Sequence, residues 1–292
     1  MNIQWYPGHM TKTRRQIEAD LGLVDMVVEI IDARIPISSR NPDIDAICAA
    51  KPRLVVLNRA DQADPAANRL WAETFQARGF AVLETDAKTG KGIEKFPAAS
   101  RQLLSEQIQR WKAKGLVGRP VRAMVVGVPN VGKSTFINQV AKRRSAKAAD
   151  RPGVTRGKQW VTVDQGLSLL DTPGILWPKF EDEQVGLHLA YTGAVKDDVM
   201  DVETLACRLM DDLASRYPQA LKERYKLEIP EKEAGQDSVA YGYELLQASA
   251  RKRGFLISGG EADTERMARI LLDELRGGKL GRFTLEWPEA AL

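Results

Sequence analysis

Residues 127–134 constrain the fold of this chain more than any other stretch. They read G-V-P-N-V-G-K-S, which fits the pattern G-x-x-x-x-G-K-S. A valine-rich run over 121–126 precedes them, and residues 135–140 favour the first turns of a helix. A strand that runs through a glycine-rich loop into a helix turns backbone N–H groups and the positive end of the helix dipole toward phosphate oxygens. We therefore predict a phosphate-binding loop, and the flanking strand and helix argue against a chance match.

The polar positions of this loop have predicted tasks. The Lys133 ammonium offers a positive charge to the β- and γ-phosphates of a nucleotide, where it is also a candidate catalytic group. The Ser134 hydroxyl offers a ligand to Mg²⁺. The predicted nucleotide-binding residues of this stretch are Asn130, Val131, Gly132, Lys133, Ser134 and Thr135.

Composition limits the class of protein. The chain has 292 residues, of which 43% are hydrophobic and 28% charged, as expected for one large or two ordinary globular domains. No apolar run is long enough for a membrane span, and the first residues contain no apolar signal region. Cys48 and Cys207 lack the spacing of a metal site and are expected to be reduced thiols. We expect a cytoplasmic protein without a membrane partner.

Short apolar runs alternate with helical segments in the first part of the chain, which predicts a doubly wound, mostly parallel sheet. The predicted strands of this alternation are 26–31, 54–57, 80–83 and 121–126. Residues 159–163 and 167–170 are predicted to form a hairpin, and residues 93–111 a single helix. Farther along the chain the hydrophobic period is helical throughout. We expect an α/β domain over 1–184 and a small all-helical domain over 185–292.

The net charge of +4 is unevenly distributed. Residues 1–184 contain 28 Lys and Arg against 20 Asp and Glu, whereas residues 185–292 contain 15 against 19. Residues 119–158 contain ten basic residues and one acidic residue, Asp150. A block this basic around a nucleotide site indicates a polyanion beyond the nucleotide, and a solvated basic loop is the alternative.

Two loops after the phosphate-binding loop are predicted to complete the magnesium and γ-phosphate site. Residues 171–174 read D-T-P-G at the end of a predicted strand. Asp171 would hold Mg²⁺ through water, and the backbone N–H of Gly174 would contact the γ-phosphate. Thr155, in the basic loop, is predicted to reach Mg²⁺ from the other side.

Two short motifs that precede the phosphate-binding loop predict the base. Residues 58–61 read N-R-A-D and resemble the guanine-binding motif N-K-x-D. Asn58, Arg59 and Asp61 are its predicted nucleotide-binding residues. The Asp61 carboxylate can accept hydrogen bonds from N1–H and the 2-amino group of guanine, which adenine does not offer. Ala87 and Lys88 belong to a second motif, whose backbone N–H meets O6 of guanine. Together the motifs predict GTP as the substrate and argue against an ATPase.

The order of the motifs is unusual. In Ras-like GTPases the phosphate-binding loop comes first and the base motifs last, whereas here the base motifs precede the loop. The same parts connected in a different order make a circularly permuted Ras-like P-loop GTPase domain. The D-T-P-G loop then leads into the helical domain instead of back into the sheet, so loss of the γ-phosphate is expected to reposition that domain.

The sequence resembles the circularly permuted GTPases, and specifically the ribosome biogenesis GTPase A family. The residues that carry the resemblance are 5–10 (W-Y-P-G-H-M), 32–36 (D-A-R-I-P), 39–42 (S-R-N-P), 58–61, 127–134 and 171–174. The resemblance is strong over about residues 1–195, and the helical tail resembles the family in position and character. The chain departs from the family pattern at Arg59, where Lys is usual, and at Asp86, where Ser is usual.

The resemblance implies a GTPase that binds the large ribosomal subunit, its rRNA and its proteins, late in assembly and hydrolyses GTP there. We expect a monomer away from the ribosome and a helical domain that docks on RNA or the ribosome. A GTP-dependent signalling switch with a protein partner and no RNA contact is the alternative. The basic block over 119–158 favours the ribosomal partner, and the acidic balance over 185–292 weakens that argument.

The chain lacks the glutamine that positions the attacking water in Ras, because Ile175 stands at that place. His9 follows a Pro-Gly turn signal and two aromatic residues, and an imidazole near neutral pKa can orient water or accept its proton. The resemblance also points to His9 as the catalytic residue, and a structural role in the N-terminal turn is the alternative. His188 lies in an apolar helical run and is expected to be structural.

Asn130 suggests a second cation. An amide oxygen at this place in the loop is suited to bind a monovalent cation beside the phosphates, and K⁺-activated GTPases that resemble this chain use such an asparagine. We therefore expect Mg²⁺ and K⁺ as cofactors, with Asn130 as the K⁺ ligand. An asparagine that only stabilises the turn is the alternative.

Overall fold

The computed structural model describes residues 9–145, 160–164, 166–177, 180, 182–197 and 201–288. These residues form two compact units. The first contains the described residues up to 177 together with 286–288, and the second contains those within 180–285. The division at residues 184 and 185 stays a prediction of where two domains meet.

A six-stranded sheet forms the centre of the first unit. Its strands are β1 (Met26–Asp32), β2 (Arg53–Asn58), β3 (Ala81–Thr85), β4 (Val121–Val126), β5 (Trp160–Asp164) and β6 (Leu167–Asp171). The strand order is β3-β2-β1-β4-β6-β5. Neighbouring strands are parallel, except that β5 is antiparallel to β6. The sheet confirms the predicted doubly wound, mostly parallel α/β class.

The two central strands explain why the sequence shows short apolar runs without alternation. Every residue of β1 is buried, and β4 is buried except at Arg122. Strands covered on both faces need apolar side chains on both faces, as parallel sheets do. The loop after β4 leaves from the carboxyl edge of the sheet, where open α/β sheets bind their ligands.

Helices connect the strands of the first unit. They are α1 (His9–Asp20), α2 (Pro42–Ile47), α3 (Pro65–Ala77), α4 (Phe96–Leu103), α5 (Ser105–Ala113) and α6 (Lys133–Ser145). The single helix predicted over 93–111 is wrong, because a 3₁₀ turn over Ile93–Lys95 precedes α4 and α5. Pro97 lacks a backbone N–H and so favours the start of a helix at that point. Leu104, with φ −102° and ψ 16°, leaves the helical region and separates α4 from α5.

In the described part of the second unit the regular elements are helices, and one isolated bridge joins Leu256 and Ala262. Its helices are α7 (Glu183–Tyr191), α8 (Val202–Arg216), α9 (Pro218–Tyr225), α10 (Ser238–Lys252) and α11 (Thr264–Arg276). A Cβ at Gly242 on α10 would overlap the Cys207 carbonyl of α8, so glycine permits these helices to approach closely. In the described part of the chain no helix combines the length and apolar composition needed to cross a bilayer.

A buried carboxylate ties together three helices of the second unit. Glu274 of α11 accepts hydrogen bonds from Arg224 Nε and Tyr225 Oη, both at the end of α9, and pairs with Arg253 after α10. Burial acts to raise the pKa of Glu274, but these partners outweigh it and lower the pKa to about 2.

Residues 286–288 belong to the first unit although they follow the helical unit in sequence. The Glu286 carboxylate accepts hydrogen bonds from the backbone N–H groups of Ile37 at 2.6 Å and Ser38 at 3.1 Å. Trp71 of α3 donates from Nε1 to the Glu286 carbonyl at 2.8 Å, and Trp287 packs against the buried cluster that contains Trp71. This segment therefore completes the α/β unit, which the sequence did not predict.

Candidate functional site

A cavity of about 680 Å³ opens beside the loop that joins β4 to α6. Its wall combines residues of this loop with the D-T-P-G loop after β6 and with the second half of α1. The cavity brings together five residues of the predicted site, which are Asn130, Lys133, Ser134, Asp171 and Gly174. It also includes Gln16 and Asp20, which the sequence did not predict.

Lys133 begins α6 and is buried in the phosphate-binding loop. Its Nζ donates to the carbonyl oxygens of Gly127 at 3.1 Å and Val128 at 2.8 Å. Burial lowers the pKa of Lys133 to about 8, and the negative charge of Asp171 opposes part of that shift. The loop that would surround the phosphates holds the Lys133 ammonium. Bound phosphates would favour the charged form of the lysine.

Asp171 offers a carboxylate to a cation. Burial raises its pKa, and the nearby Lys133 charge opposes that shift. Within the described part of the chain its buried Oδ1 has no hydrogen-bond partner. Asp171 and Ser134 line the same cavity, and a carboxylate oxygen without a donor together with a hydroxyl fits the oxygen ligands that Mg²⁺ prefers. The third predicted magnesium ligand, Thr155, lies outside the described residues.

The D-T-P-G loop lies directly against the phosphate-binding loop. A Cβ at Gly174 would come within 2.7 Å of Pro129 Cα and 3.0 Å of Lys133 Nζ, so a larger residue would force the two loops apart. Ile175 is 0% exposed, and its backbone N–H donates to the Gly127 carbonyl at 3.3 Å. The apolar side chain at the position of the Ras glutamine is therefore part of the core.

The two base motifs meet at Asn58, at the end of β2. Its Nδ2 donates to the Val131 carbonyl at 2.9 Å, and its Oδ1 accepts from the backbone N–H of Ala87 at 3.0 Å and from Thr85 Oγ1 at 3.2 Å. Gly132, with φ 103°, leaves room for the amide, because a Cβ there would overlap Asn58 Nδ2. The arrangement joins three loops of the predicted site.

Arg59 makes a second link to the phosphate-binding loop. Its Nη2 donates to the Asn130 carbonyl at 3.0 Å, and its Nε lies 3.6 Å from Asp32 Oδ2. Asp32 is also bound by Arg34 through Oδ1 at 2.9 Å and Oδ2 at 2.7 Å. Burial acts to raise the pKa of Asp32, but the adjacent Arg34 charge helps to lower it overall. Arginine thus occupies the usual lysine position with a buried counter-ion.

The rest of the base region is open. Asp61 and Lys88 are exposed, and Ala87 is buried. Asp86, at the place where the family has Ser, accepts through Oδ1 from the backbone N–H groups of Lys88 at 2.9 Å and Thr89 at 3.2 Å. Aspartate therefore caps the turn after β3 in the way that a serine hydroxyl does more weakly.

The two histidines have different surroundings. His9 is the first residue of α1, and its side chain lies outside the described ones. His188 of α7 is buried, with its Nε2 2.9 Å from Gln184 Nε2 and its ring 6.1 Å from that of Tyr191. These contacts support the expectation that His188 is structural.

The sequence does not predict the acidic and amide groups that lie around the site. Asp32 lies in the D-A-R-I-P motif, and nothing in the sequence indicates that it pairs with Arg59. For Gln16 and Asp20 the sequence gives a weak signal, because their spacing of four residues puts them on one face of a predicted helix. Nothing in the sequence indicates that this face borders the phosphate-binding loop.

A family model described as 50S ribosome-binding GTPase matches residues 122–229 of the chain. Ribosome biogenesis GTPase A of Bacillus cereus is 49% identical over 290 residues, which cover 99% of this chain and 95% of that protein. The protein of the same name from Thermotoga maritima is 34% identical over 287 residues, which cover 98% of this chain and 95% of that protein.

Two solved structures are similar over nearly the whole chain. GNP-bound YlqF from T. maritima aligns with a TM-score of 0.64 at 28% identity, covering 95% of this chain and 99% of that one. A structure described as GDP-bound TM YlqF aligns with a TM-score of 0.64 at 29% identity, covering 94% of this chain and 100% of that one. The similarity extends through both compact units.

Proposed function

This chain belongs to the ribosome biogenesis GTPase A family, and we propose that it binds the large ribosomal subunit late in assembly in its GTP state and leaves after hydrolysis. It is a GTPase, and its family acts in ribosome biogenesis. The observation that carries the proposal is the cavity shared by Lys133, Asp171 and Gly174, in a chain that aligns with its relatives almost end to end.

In this proposal the nucleotide phosphates lie on the loop over 127–134, and the guanine lies near Asp61. Lys133 and the backbone N–H groups of the loop bind the phosphates. Gly174 contacts the γ-phosphate. Arg59 supports the base side from its position between Asp32 and the Asn130 carbonyl. The predicted ligands Val131, Gly132, Ser134, Thr135, Ala87 and Lys88 complete the site.

The proposed Mg²⁺ ligands are Ser134, Asp171 and Thr155. Mg²⁺ supplies charge neutralisation at the β- and γ-phosphates and orients them. The buried Oδ1 of Asp171 supports this assignment, because a carboxylate oxygen left without a donor needs a cation or water.

K⁺ is the proposed second cofactor, with Asn130 as its ligand. Asn130 is exposed in the cavity wall and has φ 58°, a conformation that asparagine tolerates better than most residues. Arg59 donates a hydrogen bond to the Asn130 carbonyl, which holds the backbone of Asn130 while Asn130 lines the cavity. These two features support a turn that holds Asn130 at the place where a monovalent cation would contact the phosphates.

His9 is the proposed group that acts in place of the missing glutamine. Its position at the start of α1 supports this role, because other residues of the same helix line the nucleotide cavity. We propose that contact with the large subunit brings His9 to the γ-phosphate, so that hydrolysis is slow in solution and fast on the ribosome. His9 acts in catalysis and does not read the bound nucleotide.

The helical unit is the proposed docking element for rRNA. Arg251 and Lys252 at the end of α10 are exposed, and so is Lys222 on α9, which supports contact with phosphates. The basic residues of the α/β unit add to this attraction. The protein would act in the cytoplasm as a monomer until it meets the subunit.

The competing function is a GTP-dependent signalling switch with a protein partner. Sedimentation with purified large subunits distinguishes the two. The protein loaded with a non-hydrolysable GTP analogue should pellet with large subunits at low salt and less at high salt, because phosphate contacts release counter-ions. The GDP-loaded protein should remain in the supernatant. Failure of the GTP-analogue form to pellet at any salt concentration contradicts the ribosomal function.

A further inference from the structure

Helix α1 contributes two polar side chains, Gln16 and Asp20, to the wall of the nucleotide cavity. They are four residues apart, so they lie one turn apart on the same face of the helix. Gln16 donates from Nε2 to Asp20 Oδ2 at 2.9 Å. A paired carboxamide and carboxylate thus lines the same cavity as Lys133 and Gly174.

Asp20 lies where a carboxylate is unfavourable. It is 4% exposed, and it is the last residue of α1, where the helix dipole is negative. It precedes a 3₁₀ turn over Leu21–Leu23, but its side chain makes no capping hydrogen bond to that turn. The Asp20 side chain therefore does not cap that turn, and its carboxylate accepts from Gln16 instead.

We propose that Gln16 orients the water that attacks the γ-phosphate, and that Asp20 is a positioning residue that holds the Gln16 carboxamide. Ile175, at the place of the Ras glutamine, is buried in the core and has no polar side-chain atom. Gln16 supplies a carboxamide to the cavity from a different element. With Nε2 bound to Asp20, the amide plane is held and Oε1 accepts a hydrogen bond from the water.

The chemical step itself follows ordinary phosphoryl transfer. The water oxygen forms a bond to the γ-phosphorus while the bond from that phosphorus to the bridging oxygen breaks. GDP leaves with the bridging oxygen and its electron pair, one proton of the water stays on the released phosphate, and the other passes to solvent. Gln16 only accepts a hydrogen bond and takes no proton. Because such reactions depend on positioning, loss of this contact slows hydrolysis without removing nucleotide binding.

The roles of Gln16 and His9 are separable. Gln16 is seven positions after His9 in α1, which is close to two helical turns. Gln16 acts in hydrolysis by the free protein, whereas the proposed role of His9 appears when the large subunit is bound. The inference rests on GTP hydrolysis alone, so it can be tested without a ribosomal partner.

Single-turnover GTP hydrolysis by the full-length protein, without ribosomal subunits, is the test. Gln16→Ala should lower the rate roughly tenfold to a hundredfold. The affinities for GDP and for a non-hydrolysable GTP analogue should stay within about twofold of the wild type, because Gln16 contacts water and not the nucleotide. Glu18→Ala, which removes another exposed side chain of α1 outside the cavity wall, is the matched control and should keep the wild-type rate.

Asp20 is tested through its dependence on Gln16. Asp20→Ala should lower the rate as far as Gln16→Ala does, and the double variant should be no slower than either single variant. Asp20→Asn keeps an acceptor oxygen and should recover part of the rate. Additive losses in the double variant overturn the positioning role of Asp20. A Gln16→Ala protein with the wild-type rate overturns the inference, and so does one whose analogue binding falls as much as its rate. Because Gln16 is exposed, this variant should fold and gives the test even if Asp20→Ala does not fold.

Discussion

Asn58 donates from Nδ2 to the carbonyl oxygen of Val131 at 2.9 Å, and this hydrogen bond joins the predicted base-binding loop to the phosphate-binding loop. Both residues are buried. The other end of the amide accepts from the backbone N–H of Ala87, which brings in the second base motif. A buried amide with both ends satisfied fixes its neighbours, because any displacement leaves polar groups unpaired. Base binding and phosphate binding should therefore be coupled in this protein.

Changing Asp61→Asn should weaken GTP binding and shift preference toward xanthine nucleotides. The amide presents a donor where guanine also donates, whereas xanthine offers a carbonyl at that position. Loss of a charged hydrogen-bond pair should cost about 1.5–3 kcal/mol of binding free energy. Affinities for GDP and for xanthosine diphosphate measured by calorimetry check this. A gain for the xanthine nucleotide is the internal control for folding, and unchanged GDP affinity in the variant removes Asp61 from base recognition.

Potassium should accelerate GTP turnover relative to sodium at equal ionic strength. Asn130→Ala should flatten the difference because it removes the proposed ligand oxygen. Alanine at φ 58° is strained, so Asn130→Gly, which tolerates that conformation, is the matched control for the backbone. Both variants should turn over GTP equally in the two salts. Equal wild-type rates in K⁺ and Na⁺ would end the assignment.

Nucleotide affinity should fall as the pH rises above about 8. Burial lowers the pKa of Lys133 to about 8 in the free protein, and bound phosphates favour its charged form. Below that pH the lysine is already protonated and the affinity is flat. Above it, binding takes up a proton and the affinity falls by up to about tenfold for each pH unit. GDP titrations between about pH 7 and 9 measure this.

A matched variant separates the lysine from other titrating groups. Lys133→Arg keeps a charge over the whole pH range, so its affinity should be lower overall but should not depend on pH through this group. A pH-independent affinity in the wild type, or the same slope in both proteins, contradicts the titration of Lys133.

Local patterns in the sequence were enough to predict the sheet and the phosphate-binding loop. The motif over 127–134 also predicts its neighbours, because a phosphate-binding loop of this type follows a strand and leads into a helix. The break between α4 and α5 was not predicted, because the apolar positions before and after Leu104 continue one helical period. Pro97 is the residue that indicates where the helix begins, because proline inside the predicted helix favours a helix that starts near residue 96 instead of residue 93.

Contacts between residues distant in sequence could not be predicted. Glu286 accepts from the backbone of Ser38 across 248 residues, and no pattern near either residue encodes that contact. The same holds for Gln16 and Asp20, whose spacing indicates a shared helix face but not the element that the face meets. Asp32 lies in a recognisable motif, but its pairing with Arg59 follows only from the parallel pairing of β1 with β2.

His9→Ala should remove most of the stimulation of hydrolysis by large ribosomal subunits. The rate on the subunit should fall roughly 10²–10⁴-fold if His9 acts as an acid–base group, and less if it only orients water. Binding of a non-hydrolysable GTP analogue should be nearly unchanged, because His9 does not contact the nucleotide before reaction. Loss of analogue binding in this variant would support a structural role for His9 instead.

GTP turnover with and without purified large ribosomal subunits tests whether this protein acts on the large subunit. Single-turnover hydrolysis should be measured for the wild-type protein with subunits in excess, and small subunits at the same concentration serve as the control. The free protein should hydrolyse GTP slowly, large subunits should make hydrolysis much faster, and small subunits should leave the rate unchanged. The same rate with and without large subunits would contradict a function on the large subunit.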